Sequence, residues 1–138
     1  MMNIVDRQTF VFSINFTTAG PQIVSPINLR FAADELVVKT ITYSLGPVAD
    51  VAEGVQIWCN ITNDNLIGAF SNSTRVGLYC DTHFRISNTF QTGNFVLQFQ
   101  KTDNGAPFYY NSQPLINAPN GNTKGTLLLV IEFLKHEN

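Results

Sequence analysis

In Thr9–Thr17, TFVFSINFT, Phe10, Phe12, Ile14 and Phe16 occupy one parity and Val11, Ser13, Asn15 and Thr17 the other. Successive side chains on a strand point to opposite faces, so this stretch predicts a strand with an aromatic core face. The same period of two returns in Val55–Ile61, where Val55, Ile57, Cys59 and Ile61 oppose Gln56, Trp58 and Asn60. It returns again in Phe95–Lys101, with Phe95, Leu97 and Phe99 inward. No segment carries a helical period over ten residues, so the chain is constrained to an all-β fold.

The stretch Ile27–Ser44 combines a proline before it (Pro26), a polar corner (Ala32-Ala33-Asp34-Glu35) and a β-branched run. Leu36–Leu45 predicts a strand with Val37, Ile41 and Tyr43 on its core face and Lys39 snorkelling at the edge. Pro26–Phe31 reads as the segment crossing to it, after a short extended piece at Gln22–Ser25. Asp34 and Glu35 are adjacent, so on a regular strand they point to opposite faces and do not converge.

Turn signals divide the remainder. Asn63-Asp64-Asn65 predicts a hairpin leading to Leu66–Phe70, and Val76–Tyr79 and Phe84–Phe90 read as short extended segments. Asp103-Asn104-Gly105 supplies positive-φ positions before a short return at Phe108–Tyr110, and Ser112–Gly125 reads as a loop. Thr126–Lys135, TLLLVIEFLK, is apolar on both faces and is expected to lie centrally or beneath a neighbour. About eight strands at short spacing predict an eight-stranded antiparallel single jelly-roll sandwich, one domain over residues 1–138, with its first and last long strands paired.

Only 13% of residues are charged, against about 25% in typical soluble domains. Charge depletion is what subunit interfaces show, so the surface is expected to meet other subunits. The net charge is −2 and the basic residues are scattered, which argues against direct nucleic-acid binding. No run approaches the length of a membrane helix, and Met1–Asp6 has neither the basic start nor the apolar segment of a secretory leader. Cys59 and Cys80 are expected as reduced thiols, and the three glycosylation sequons at Asn15, Asn60 and Asn72 as incidental.

Chemistry is sparse. His83 and His136 lack metal-binding spacing, and Cys80-Asp81-Thr82-His83 reads as a polar loop rather than a nucleophile with its base. Asp103-Asn104-Gly105 lacks the following ligands of a calcium loop, and no phosphate-binding loop, dinucleotide fingerprint or nucleophile elbow occurs. No catalytic, metal or cofactor-binding residue is assigned, no cofactor is expected, and the chain is not read as an enzyme. Trp58, Tyr109 and Tyr110 are the candidate ligand or interface aromatics.

The run Ser25-Pro26-Ile27-Asn28-Leu29, then Asp34–Tyr43, and the ending Gly125–Phe133 resemble the early and closing strands of single jelly-roll minor capsid proteins. These are the penton proteins of icosahedral double-stranded DNA viruses of virophage, polinton-like and large algal or protist type. The resemblance implies a structural homopentamer at the capsid vertices, contacting the major capsid protein and other minor capsid proteins. It implies a virion location, after assembly in the host cytoplasm or nucleus. Two alternatives share the sandwich: a lectin-like carbohydrate-binding module using Tyr109 and Tyr110, and a trimeric ligand of the tumour-necrosis-factor type.

Overall fold

The computed structural model describes residues 3–15, 22–44, 54–71, 76–102, 105 and 126–137. The regular elements among them are all strands: β1 (Ile4–Asn15), β2 (Gln22–Ser44), β3 (Gly54–Cys59), β4 (Leu66–Ser71), β5 (Val76–Lys101) and β6 (Thr126–His136). They form one antiparallel six-stranded sheet in the order β1-β6-β2-β5-β3-β4. The expected pairing of the first and last long strands is present, with Phe10 opposite Ile131 and Phe12 opposite Leu129. The turn residues 103–104, the loop expected at 112–125, the short strand at 108–110, and Tyr109 and Tyr110 lie outside the described residues.

Among the described residues six continuous strands stand where eight are expected for the chain. Val76–Tyr79, Phe84–Phe90 and Phe95–Lys101 run on as the 26-residue β5, and Gln22–Ser25 joins the opening stretch in the 23-residue β2. Ordinary strands are about 5–6 residues long, so elements of this length must bend. They bend at register shifts. In β2 these fall between Asn28 and Ala33, between Ala33 and Glu35, and between Val38 and Thr40.

The second and third shifts change which parity faces the core. Ile27, Leu29, Phe31 and Ala33 are buried, then Leu36 and Val38, then Ile41 and Tyr43, all within one hydrophobic cluster. An inserted residue moves every later side chain to the other face. The polar corner expected at Ala32–Glu35 is therefore a bulge within a continuous strand. Ile41 and Tyr43 face inward as predicted. Val37 is buried too, at 1% exposure, though it stands in register with Glu132 and His83 and outside that cluster.

The pairings also divide the sheet into two blocks. Residues 35–44 of β2 lie between β6 and residues 76–85 of β5, with β1 beyond β6. Residues 22–28 of β2 pair with residues 92–98 of β5, whose far side carries β3 and then β4. The blocks fold onto one another as a β sandwich. Phe95 of the second block meets Phe12 at 5.4 Å and Phe133 at 5.7 Å between ring centroids. Tyr43 of the first meets Phe70 of the second at 4.9 Å. Offset and edge-on aromatic pairs of this kind add roughly 0.5–1.5 kcal/mol each beyond the area they bury.

The β3–β4 turn braces the bend in β5. Asn63 N donates to Arg85 O at 2.9 Å and Ser87 N to Ile61 O at 2.9 Å. Buried Thr62 donates its hydroxyl to Asp64 O at 2.7 Å and lies 3.2 Å from Cys59 Sγ. Both cysteines are free; Cys59 is buried and Cys80 half-buried. Gly105, at φ 70°, takes the positive-φ conformation expected of its turn and donates to Lys101 O at 2.8 Å.

Gly93 has φ 154° where β5 resumes pairing with Ile27, and a β-carbon there would sit 3.4 Å from Phe90. A branched side chain is strained in that backbone region. Gly93→Val is expected to cost about 1–3 kcal/mol in a urea titration. Gly77→Ala, in the same strand with open space around the position, is expected to be neutral within about 0.5 kcal/mol.

Candidate functional site

The bulge at Ala33–Glu35 places Asp34 and Glu35 consecutively outside the core, and both reach the same histidine. Asp34 Oδ1 lies 2.8 Å from His136 Nδ1, and its Oδ2 accepts from the His136 backbone N at 2.9 Å. Glu35 Oε1 lies 2.7 Å from His83 Nδ1 and 3.9 Å from His136 Nε2. The carboxylates therefore converge, contrary to the reading of a regular strand. Ionised carboxylates only accept hydrogen bonds, so Nδ1 carries the proton in both rings.

Both histidines of the chain meet in this cluster, and Asp34, Glu35 and His136 line a cleft of about 250 Å³ together with Arg85. Its clearest consequence is structural: the two bonds from Asp34 fasten the end of β6 to β2. Asn3 extends the fastening, accepting from Glu137 N at 2.9 Å. Among the described residues no group of three histidine, cysteine or acidic side chains is placed to hold a metal ion.

Cys80 and His83 are not brought together. His83 turns to Glu35, while Cys80 Sγ points to Leu78 O at 3.9 Å. Burial, with the charge of Asp81, pushes the Cys80 thiol above its ordinary range. That is the opposite of the electropositive setting that activates a cysteine nucleophile. Asp81 sits at the β5 bulge with φ 44° and pairs with Lys39 at 2.6 Å. The hydrogen bond and charge of Lys39 hold Asp81 below the usual carboxylate range, and Lys39 is raised in return.

A band of charge thus crosses the outer face of the first block, from Arg7–Glu132 at 3.7 Å to Lys39–Asp81 and Glu35–His83. Next to it lies a row without charge: Val11 opposite Val130, Val130 opposite Thr40, and Thr40 opposite Tyr79. The following row is Ser13, Leu128, Thr42 and Gly77. Val11 is 63% exposed, Leu128 40% and Tyr79 92%.

Trp58 occupies the outer face of the second block, opposite Gln98. With Asn60, Asn65, Val96, Gln98 and Gln100 it lines a shallow, uncharged groove of about 390 Å³. Asn60 is already engaged, donating to Asn94 O at 3.0 Å and accepting from Val96 N at 2.9 Å. The Trp58 indole nitrogen is buried with no acceptor among the described residues. Removing an unmatched buried donor costs little, so Trp58→Phe is expected to change unfolding free energy by less than about 1 kcal/mol.

The acid–histidine cluster was missed because regular alternation was assumed through it. Its signal is present in the sequence: Asp34-Glu35 and Lys39-Thr40 are each two consecutive polar residues between apolar ones. That spacing breaks period two and marks a bulge.

No family model matches the chain, and no curated protein matches it. Among solved structures it is similar to "Structure of infectious bursal disease virus Gx strain", with 10% sequence identity and a TM-score of 0.24. The match covers 94% of this chain and 43% of that one. A likeness at that score carries no argument about what this protein does.

Proposed function

We propose that this chain is a structural protein of a viral shell, a single jelly roll of penton type that self-assembles into a homopentamer at icosahedral vertices and contacts the major capsid protein. The fold part of this reading treats β2 and β5 as two strands each. The blocks then read β1-β6-β2-β5 and β2-β5-β3-β4, two four-stranded layers with the alternation of a jelly roll. The observation that carries the assembly part is the uncharged row of Val11, Val130, Thr40 and Tyr79, whose exposed apolar residues gain by being covered. Native mass spectrometry and negative-stain microscopy of the purified protein test the proposal. Five-chain species with ring-shaped particles are the expected result. A single-chain species persisting to high micromolar concentration counts against it.

The second reading is a carbohydrate-binding module, favoured by the Trp58 groove, where an indole lies among amide side chains. A glycan array separates the two. Specific binding lost in Trp58→Ala supports the lectin, and an empty array removes it.

A further inference from the structure

Among the described residues the sandwich has four strand edges with no further strand beside them, and they are unequal. Residues 22–28 of β2 contain Pro26, which has no N–H to offer another strand. β4 is only six residues long and carries Gly68. Short edges and prolines are common devices against unwanted pairing. The other two edges flank the first block and lack such protection at its uncharged end. Residues 76–80 of β5 pair with β2 on one side only, and carry neither charge nor proline. Residues 8–14 of β1, paired among the described residues with β6 on one side, likewise carry neither. Just beyond residue 8, the Arg30 guanidinium occupies the Arg7 carbonyl at 3.0 Å.

Among the described residues Tyr79 and Val11 are the most exposed of the large hydrophobic side chains. They sit at one level, joined through Val130 and Thr40, on opposite edges of the same four-stranded block. They also share its outer face. The bordering charges are satisfied within the chain, by Arg7–Glu132 and Lys39–Asp81. Because β1, β6, β2 and β5 alternate in direction, a second copy placed beside the first in the same sense offers its β1 antiparallel to this β5.

We infer that copies of this chain join head to tail by antiparallel pairing of residues 76–80 of β5 with residues 10–14 of a second copy's β1, Tyr79 packing on Val11. The contact rests on the self-assembly proposed above and gives it an interface. It is heterologous, the kind that closes into a ring when the rotation per copy divides a full turn. The bulge at Asp81 ends the pairing before the charged band.

Cross-linking in a Cys80→Ser background tests it. Within one chain Val11 and Tyr79 are three strand spacings apart, about 14 Å, too far for a disulfide. A mixture of the Val11→Cys and Tyr79→Cys proteins is expected to give covalent dimers on oxidation, while each protein alone gives none. Tyr79→Lys, at a fully solvated position, is expected to reduce the assembly to single chains with an unchanged melting curve. An assembly that survives Tyr79→Lys and yields no mixed dimer overturns the edge pairing and leaves self-assembly standing. A wild-type protein that is a single chain at every concentration overturns both. Self-linking of Tyr79→Cys alone shows a twofold contact and overturns the head-to-tail arrangement.

Discussion

Phe133→Ala lowers the free energy of unfolding by about 3–5 kcal/mol, the range for deleting a buried aromatic ring from a packed core. Phe133 is fully buried on β6. Its ring meets Phe10 at 5.6 Å, Phe90 at 6.0 Å and Phe95 at 5.7 Å, edge-on to Phe10 and Phe95. Those partners come from β1 and from β5 on both sides of Gly93. They cannot all close on the space left by one ring, so a cavity remains and its cost adds to the lost burial. Urea unfolding followed by tryptophan fluorescence measures the change, Trp58 being the single tryptophan. A loss below about 1 kcal/mol contradicts the packing described.

Asp34→Ala is expected to cost about 2–3 kcal/mol. The variant removes the acceptor for both His136 N and His136 Nδ1, and a half-buried donor left without a partner costs about 1–3 kcal/mol. Asp34→Asn keeps one acceptor oxygen and is expected to cost about half as much. Hydrogen exchange is the informative readout. Protection is lost first at the end of β6, in residues 134–137, while the middle of β6, at Leu129 and Ile131, stays protected. Uniform loss across β6 means that the cluster does not act as a local fastening.

The fold class was legible because alternation is local. Phe10, Phe12 and Ile14 face the core as their period demands, and so do Ile57 and Phe99. Continuity was not legible. Asp81 and Gly93 are turn formers, and on sequence alone they separate strands. In the structure, bulges absorb them, and β5 continues because β2 pairs with it on both sides of the bend. The same cause hid the acid–histidine cluster. One inserted residue turns Asp34 and Glu35 to the same side, and their partner His136 lies 102 positions from Asp34, a proximity that no local pattern encodes. Trp58 was readable as an outward aromatic, since it alternates with buried Ile57 and Cys59.

The length of β2 and β5 has a mechanical consequence. Each strand belongs to both layers, and they cross side by side, where Ala33 stands opposite Phe90. That side of the sandwich is a spine of two covalent chains. Force that parts the layers there runs along peptide bonds in parallel, and shear between the layers has to straighten two bulged strands at once. The layers are expected to yield together as a single unit, and a pull on either one is handed to the other without passing through side-chain contacts.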